Sequence, residues 1–109
     1  PQLQQCVACH QPLEPVINTF CANAGGVTCP ECRASQPLTY PISVNALKVL
    51  RFLQSHEWQT CRLLRLSPTS SAELERLMNH YITYHLERRL KSVDFLRRLR
   101  RQMYGEEKR

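Results

Sequence analysis

Cys6-Val7-Ala8-Cys9 and Cys29-Pro30-Glu31-Cys32, with nineteen residues between them, decide how this chain is read. A two-residue gap lets a tight turn aim two thiolates at one point, and two such turns complete a tetrahedron. This is the spacing of a tetrathiolate zinc site. The intervening chain has the length for a hairpin: Val16-Ile17-Asn18-Thr19-Phe20 going out, Val27-Thr28 returning, and Gly25-Gly26 at the bend. Pro30 pre-sets the backbone inside the second turn. Four cysteine ligands close the coordination shell, so one Zn2+ at Cys6, Cys9, Cys29 and Cys32 is expected to be structural. A lobe this small lacks the core to fold alone, and zinc would supply on the order of 10 kcal/mol.

Three other readings of the cysteines compete. A disulfide framework could use six cysteines, but Cys61 lies far off among helix-forming residues and no secretory signal opens the chain. Cys6-Val7-Ala8-Cys9-His10 also spells the c-type haem attachment motif, which would leave Cys29 and Cys32 without a purpose. Iron in the same four thiolates cannot be told from zinc by spacing. His10 has a plainer explanation, because the residue after a zinc turn often needs a left-handed backbone, which His tolerates. Cys21 and Cys61 read as spare thiols, Cys21 as a small buried apolar residue. His10, His56, His80 and His85 offer bases, yet no nucleophile signature, phosphate loop or zincin helix accompanies them. Nothing supports an enzyme.

Outward from the metal lobe the chain turns helical. Gln36-Pro37-Leu38-Thr39-Tyr40-Pro41 is a proline-bounded connector, and Ser43 is a plausible N-cap for a helix to about Ser55. Ser70-Ser71-Ala72-Glu73 spells a capping box, so a second helix should start at about 71, with Leu74, Leu77, Met78, Tyr81, Ile82 and Leu86 on its apolar face. A third covers about 92–104 with Ser92 as cap. The expectation is a mostly α chain. A small four-cysteine zinc-binding β-hairpin lobe spans 1–40, a three-helix segment forms a helical domain over 41–105, and 106–109 is a flexible tail.

The 109 residues carry a net charge of +6, with 42% apolar and 22% charged residues, which excludes collagen-like and wholly disordered classes. No apolar run is long enough to span a bilayer. The chain opens on Pro1 and not Met, which reads as a piece of something longer. Residues 1–60 are net neutral. The whole excess resides in 88–101, where Arg88, Arg89, Lys91, Arg97, Arg98, Arg100 and Arg101 face Asp94 alone. On a helical wheel Phe95, Leu96, Leu99 and Met103 share one third of the circumference and the arginines of 97–101 lie opposite. A solvated basic face would look the same. Seven cations with one acid, however, repel each other unless a polyanion offsets them, and nucleic acid is the commonest one.

Several stretches together resemble one family. They are Cys6-Val7-Ala8-Cys9, then Phe20 with Gly25-Gly26-Val27 leading into Cys29-Pro30-Glu31-Cys32, then Pro41-Ile42-Ser43, and last Tyr84-His85-Leu86-Glu87-Arg88-Arg89-Leu90-Lys91-Ser92-Val93-Asp94-Phe95-Leu96. In that order and spacing they resemble the C-terminal half of the bacterial recombination mediator family RecO. The resemblance runs from about Cys6 to about Leu99. It implies a non-enzymatic, cytoplasmic, nucleoid-associated protein of recombinational DNA repair. Such a protein binds single- and double-stranded DNA, anneals single strands, contacts the acidic tail of single-strand-binding protein, and with RecR helps load recombinase. It implies Cys6, Cys9, Cys29 and Cys32 as zinc ligands. The family's N-terminal OB-fold is absent from this sequence, which predicts exposed apolar surface on the helices. His10 and Glu87 stand where the family commonly has glycine.

Overall fold

The computed structural model describes the backbone of residues 1–107 and side-chain exposure through Tyr104. The expected hairpin is present: β1 (Asn18–Cys21) pairs antiparallel with β2 (Gly26–Thr28), in the register Thr19 to Thr28, Phe20 to Val27 and Cys21 to Gly26. Gly25 takes the left-handed turn position at φ 73°. A third strand, β3 (Tyr40–Ile42), adds to the other side of β1, giving the order β2-β1-β3. This strand takes up the end of the proline-bounded connector expected over 36–41, and Pro41 has no N–H to donate to a ladder. The strand survives because it is an edge, where a missing N–H is tolerated.

Ser43 caps α1 (Val44–Ser55), its Oγ accepting from the Ala46 N–H at 3.1 Å. A single turn, α2 (Trp58–Cys61), follows. The last helix, α3, runs unbroken from Pro68 to Glu107. This corrects the two helices expected over 71–104. The helix starts at Pro68, with Ser67 Oγ accepting from the Ser70 N–H at 3.1 Å. Glu73 does not close a capping box. It reaches across to α1, accepting from Ser43 N–H at 2.8 Å and Ser43 Oγ at 2.7 Å. Ser92 caps nothing: its Oγ donates to the Arg88 carbonyl one turn back, at 3.0 Å, as a serine inside a helix does. No Gly or Pro stands between 69 and 104 to end the helix. The helical backbone extends into the expected tail through Glu107, and 108–109 lie outside the described residues.

One core joins the parts. Leu3, Phe20, Val27 and Ile42 from the lobe meet Ala46, Leu47 and Leu50 of α1 and Leu74 and Leu77 of α3. Each large side chain buried there contributes about 1.5–3 kcal/mol. Tyr81 continues the contact against Phe20, ring centroids 5.9 Å apart, and His80 stacks on Tyr40 at 3.7 Å. Beyond Tyr84 the helix leaves the core. Every residue from His85 to Tyr104 is exposed.

Candidate functional site

The first cysteine knuckle is closed by the backbone. The Cys6 N–H donates to the Gln11 carbonyl at 2.9 Å and the His10 N–H to the Cys6 carbonyl at 2.9 Å. His10 sits at φ 65°, the left-handed conformation expected of it, and this lets the chain fold back. The second knuckle is a 3-10 helix, Pro30–Ser35, with the Cys32 N–H donating to the Cys29 carbonyl at 3.1 Å. The two meet because the N-terminal segment runs alongside β2. The Gln2 N–H donates to Gly25 O, the Val27 N–H to Gln2 O and the Val7 N–H to Val27 O, at 2.8, 3.1 and 3.0 Å. Only glycine fits at 26, because a Cβ there would lie 2.5 Å from the Gln2 carbonyl oxygen.

The result is a cluster in which the sulfurs of Cys6, Cys9, Cys29 and Cys32 all lie within 4.8 Å of one another. Cys9 Sγ and Cys29 Sγ are 3.9 Å apart, far beyond a disulfide bond, and all six cysteines are free. Sulfurs about 2.3 Å from one tetrahedral ion stand about 3.8 Å apart, so the set fits a metal ion. His10 is not among the converging ligands. The protonation chemistry agrees. Burial pushes the Cys6 thiol up, but N–H groups of Cys9, Cys29 and Ala8 outweigh it and bring it down to about 6. Cys32 is pushed up to about 12, chiefly by its contact with Cys29 and by desolvation. Four thiolates cannot coexist this closely without a cation, and a divalent ion removes the conflict. Cys21 is buried, its thiol raised by burial and its Sγ 3.8 Å from Thr28 Oγ1, outside the cluster.

The seven cations of 88–101 all stand on the exposed outer half of α3. At about 100° per residue, Arg97, Arg98, Arg100 and Arg101 cover one side, opposite Phe95, Leu96, Leu99 and Met103. Arg88 and Lys91 fall elsewhere. With Tyr84, Phe95 and Leu96 they line a shallow groove of about 560 Å³. Arg98 pairs with Asp94 at 2.9 Å; this exposed pair contributes little, and among the described residues no other cation of the segment has an acidic partner. No helix among the described residues is long and apolar enough to cross a membrane. Sequence reasoning missed Asn18, whose buried side-chain oxygen is unpaired, because nothing local marks an asparagine in a strand.

A four-thiol cluster able to hold one metal ion, built on a small sheet and locked to a helical segment with a cationic end, defines a four-cysteine knuckle module on a helical carrier. The family model described as "Recombination protein O C terminal" matches residues 1–94, and the chain belongs to this family. The chain is similar to the DNA repair protein RecO of Roseiflexus sp. strain RS-1, 41% identical over 96 residues, covering 88% of this chain and 34% of that protein. It is 36% identical over 100 residues to the DNA repair protein RecO of Dehalococcoides mccartyi, covering 92% and 39%. For that of Moorella thermoacetica the figures are 33% over 97 residues, covering 88% and 36%. The chain thus spans about a third to two fifths of the length of these curated relatives. No solved structure matches it.

Proposed function

We propose that this chain is the metal-binding and helical portion of a RecO-type recombination mediator, a cytoplasmic bacterial DNA-repair protein and not an enzyme. In this reading Cys6, Cys9, Cys29 and Cys32 hold one structural Zn2+, which supplies charge neutralisation and a fixed tetrahedron. The cations Arg88, Arg89, Lys91, Arg97, Arg98, Arg100 and Arg101 meet the DNA backbone. The observation that carries the reading is the family match over 1–94 together with a 40-residue helix whose outer half is exposed and strongly cationic. Single-strand annealing, loading of recombinase onto strands coated by single-strand-binding protein, and contact with RecR belong to the whole protein. The test is binding of a labelled single-stranded oligonucleotide by the chain and by the Arg97→Glu, Arg98→Glu, Arg100→Glu, Arg101→Glu variant. Affinity should fall by more than tenfold, since phosphate contacts supply most of non-specific binding. Unchanged affinity would contradict the assignment.

The groove at Tyr84, Arg88, Lys91, Phe95 and Leu96 favours a second reading, in which this portion docks the acidic peptide tail of single-strand-binding protein and DNA contact is incidental. Tight binding of such a peptide with no binding of oligonucleotide would favour it.

A further inference from the structure

Trp58 is the only tryptophan of the chain, and it opens α2 with 75% of its surface exposed. Tryptophan is highly buried on average, and this one does not stand alone: Leu63 is 70% exposed and Leu66 38%. Helical backbone continues from Trp58 to Arg62, whose N–H donates to the Trp58 carbonyl at 3.0 Å. Residues four apart share a helix face, with Cβ atoms about 5–6 Å apart, so Arg62 and the indole leave the turn on the same side. Arg62 and Arg65 are both exposed, and neither has an ion-pair partner among the described residues. Glu57 is the only acid between 44 and 72, against Lys48, Arg51, Arg62 and Arg65. The ring pairs among the described residues involve other aromatics and leave Trp58 uncovered. None of these cations belongs to the cationic half of α3.

We propose that Trp58, Arg62 and Arg65 form a second contact for single-stranded DNA, in which an unpaired base stacks on the indole and adjacent phosphates meet the two guanidiniums. An aromatic ring beside cations is the combination that single-strand binders use, and it tolerates any sequence because every base has a π-face. A duplex keeps its bases stacked inside and offers the indole nothing, so this contact selects single strands. A stable protein interface takes about 800 Å² on each side, with few charges at its centre. Here arginines alternate with three apolar side chains, and the charge favours a polyanion. The inference takes from the proposed function only that the chain meets DNA, and adds a place and a strand preference.

The test uses the metal-bound chain, whose single tryptophan makes its intrinsic fluorescence report on this site alone. The probes are an oligothymidylate of about eight nucleotides, an abasic strand of the same length, the thymidylate annealed to its complement, and an oligo-aspartate peptide. Thymidylate should quench Trp58 saturably. The abasic strand, which brings phosphates without bases, and the duplex should not. Trp58→Ala should lower affinity for thymidylate about tenfold, the contribution of one stacked base, at an unchanged salt slope, because stacking releases no counterions. Trp58→Phe should restore most of that affinity; the position is exposed, so neither substitution disturbs the core. The Arg62→Gln, Arg65→Gln double variant should make the slope shallower by about 1.4, at about 0.7 for each lost phosphate contact. Quenching should survive reversal of the four arginines of 97–101, which reports on α3. Thymidylate that binds with Trp58 unquenched, and binds Trp58→Ala at full affinity, would overturn the proposal and leave the reading of α3 standing. Equal quenching by the abasic strand would also overturn it. So would quenching by the acidic peptide alone, in favour of a protein partner.

Discussion

Gly26 is the residue on which the metal site turns most directly. It sits in β2, opposite Cys21, and the N-terminal segment bearing the first knuckle lies against it, so a Cβ would meet Gln2 O at 2.5 Å and Val7 Cγ1 at 2.7 Å. Gly26→Ala is expected to cost about 1–3 kcal/mol, the range for overpacking against backbone, and to weaken metal binding because the two knuckles are forced apart. Urea unfolding with a metal titration checks this; an alanine variant of wild-type stability and affinity would contradict it. The sequence shows a glycine pair at a bend, which is right for Gly25. It hides the reason for Gly26, because the neighbour that demands it comes from residues 2 and 7 and from no part of the hairpin. His10 was legible, since a knuckle's geometry is local and its left-handed residue follows from the spacing. Glu73 was not. Ser-Ser-Ala-Glu reads as a capping box within its own helix, yet the carboxylate binds Ser43, thirty positions away. Local spacing cannot register such a contact.

The element that departs furthest from its reading is α3. Periodicity and composition indicated helix on both sides of Ser92, and that was correct. The break between them rested on a cap residue alone, and a serine can as readily bond to the carbonyl four residues back. Without Gly or Pro the default is continuation. This helix has unequal halves: Leu74 and Leu77 are buried in the core, while nothing from His85 to Tyr104 is. Helices without tertiary contacts are marginal in water. Amide hydrogen exchange should therefore show strong protection up to about Tyr84 and a steep fall beyond it. Uniform protection to Met103 would contradict the isolated outer half and point to another copy packed on Leu86, Leu90, Phe95 and Leu96, which are all exposed. The edge strand β3 shows the opposite error: a proline-bounded connector is expected over 36–41, yet Tyr40–Ile42 pairs with β1, and proline is tolerated there because the strand is an edge.

At the scale of the whole molecule, the proposed metal on the four-thiol cluster is expected to share the work of folding with a small core. Among the described residues ten buried apolar side chains hold sheet, α1 and α3 together, and the two knuckles meet at the four-thiol cluster, where the proposed metal would join them. Removing the metal with a chelator should unfold the lobe cooperatively, with loss of β1–β2 amide protection, while much of the helical circular dichroism remains. A lobe that keeps its sheet after full metal removal would show that the core suffices. The mostly α class, the hairpin and the cysteine set were legible because each follows from local pattern. The way the N-terminal segment and Glu73 are used was not, because their partners are set by the packing. The charge asymmetry was legible as well, and the structure makes it spatial by carrying the cations away from the core on an extended helix; the molecule measures 62 Å along its longest axis.

The central claim is that this cationic helix contacts DNA through phosphates. The most direct measurement is fluorescence anisotropy of a labelled single-stranded oligonucleotide with the metal-bound chain, between about 50 and about 200 mM salt. About five phosphate contacts predict a log–log slope near −3.5 and roughly 100-fold weaker binding across that range, with a shallower slope when the four arginines of 97–101 are reversed. Binding that ignores salt, or no binding at the lower concentration, would contradict the claim.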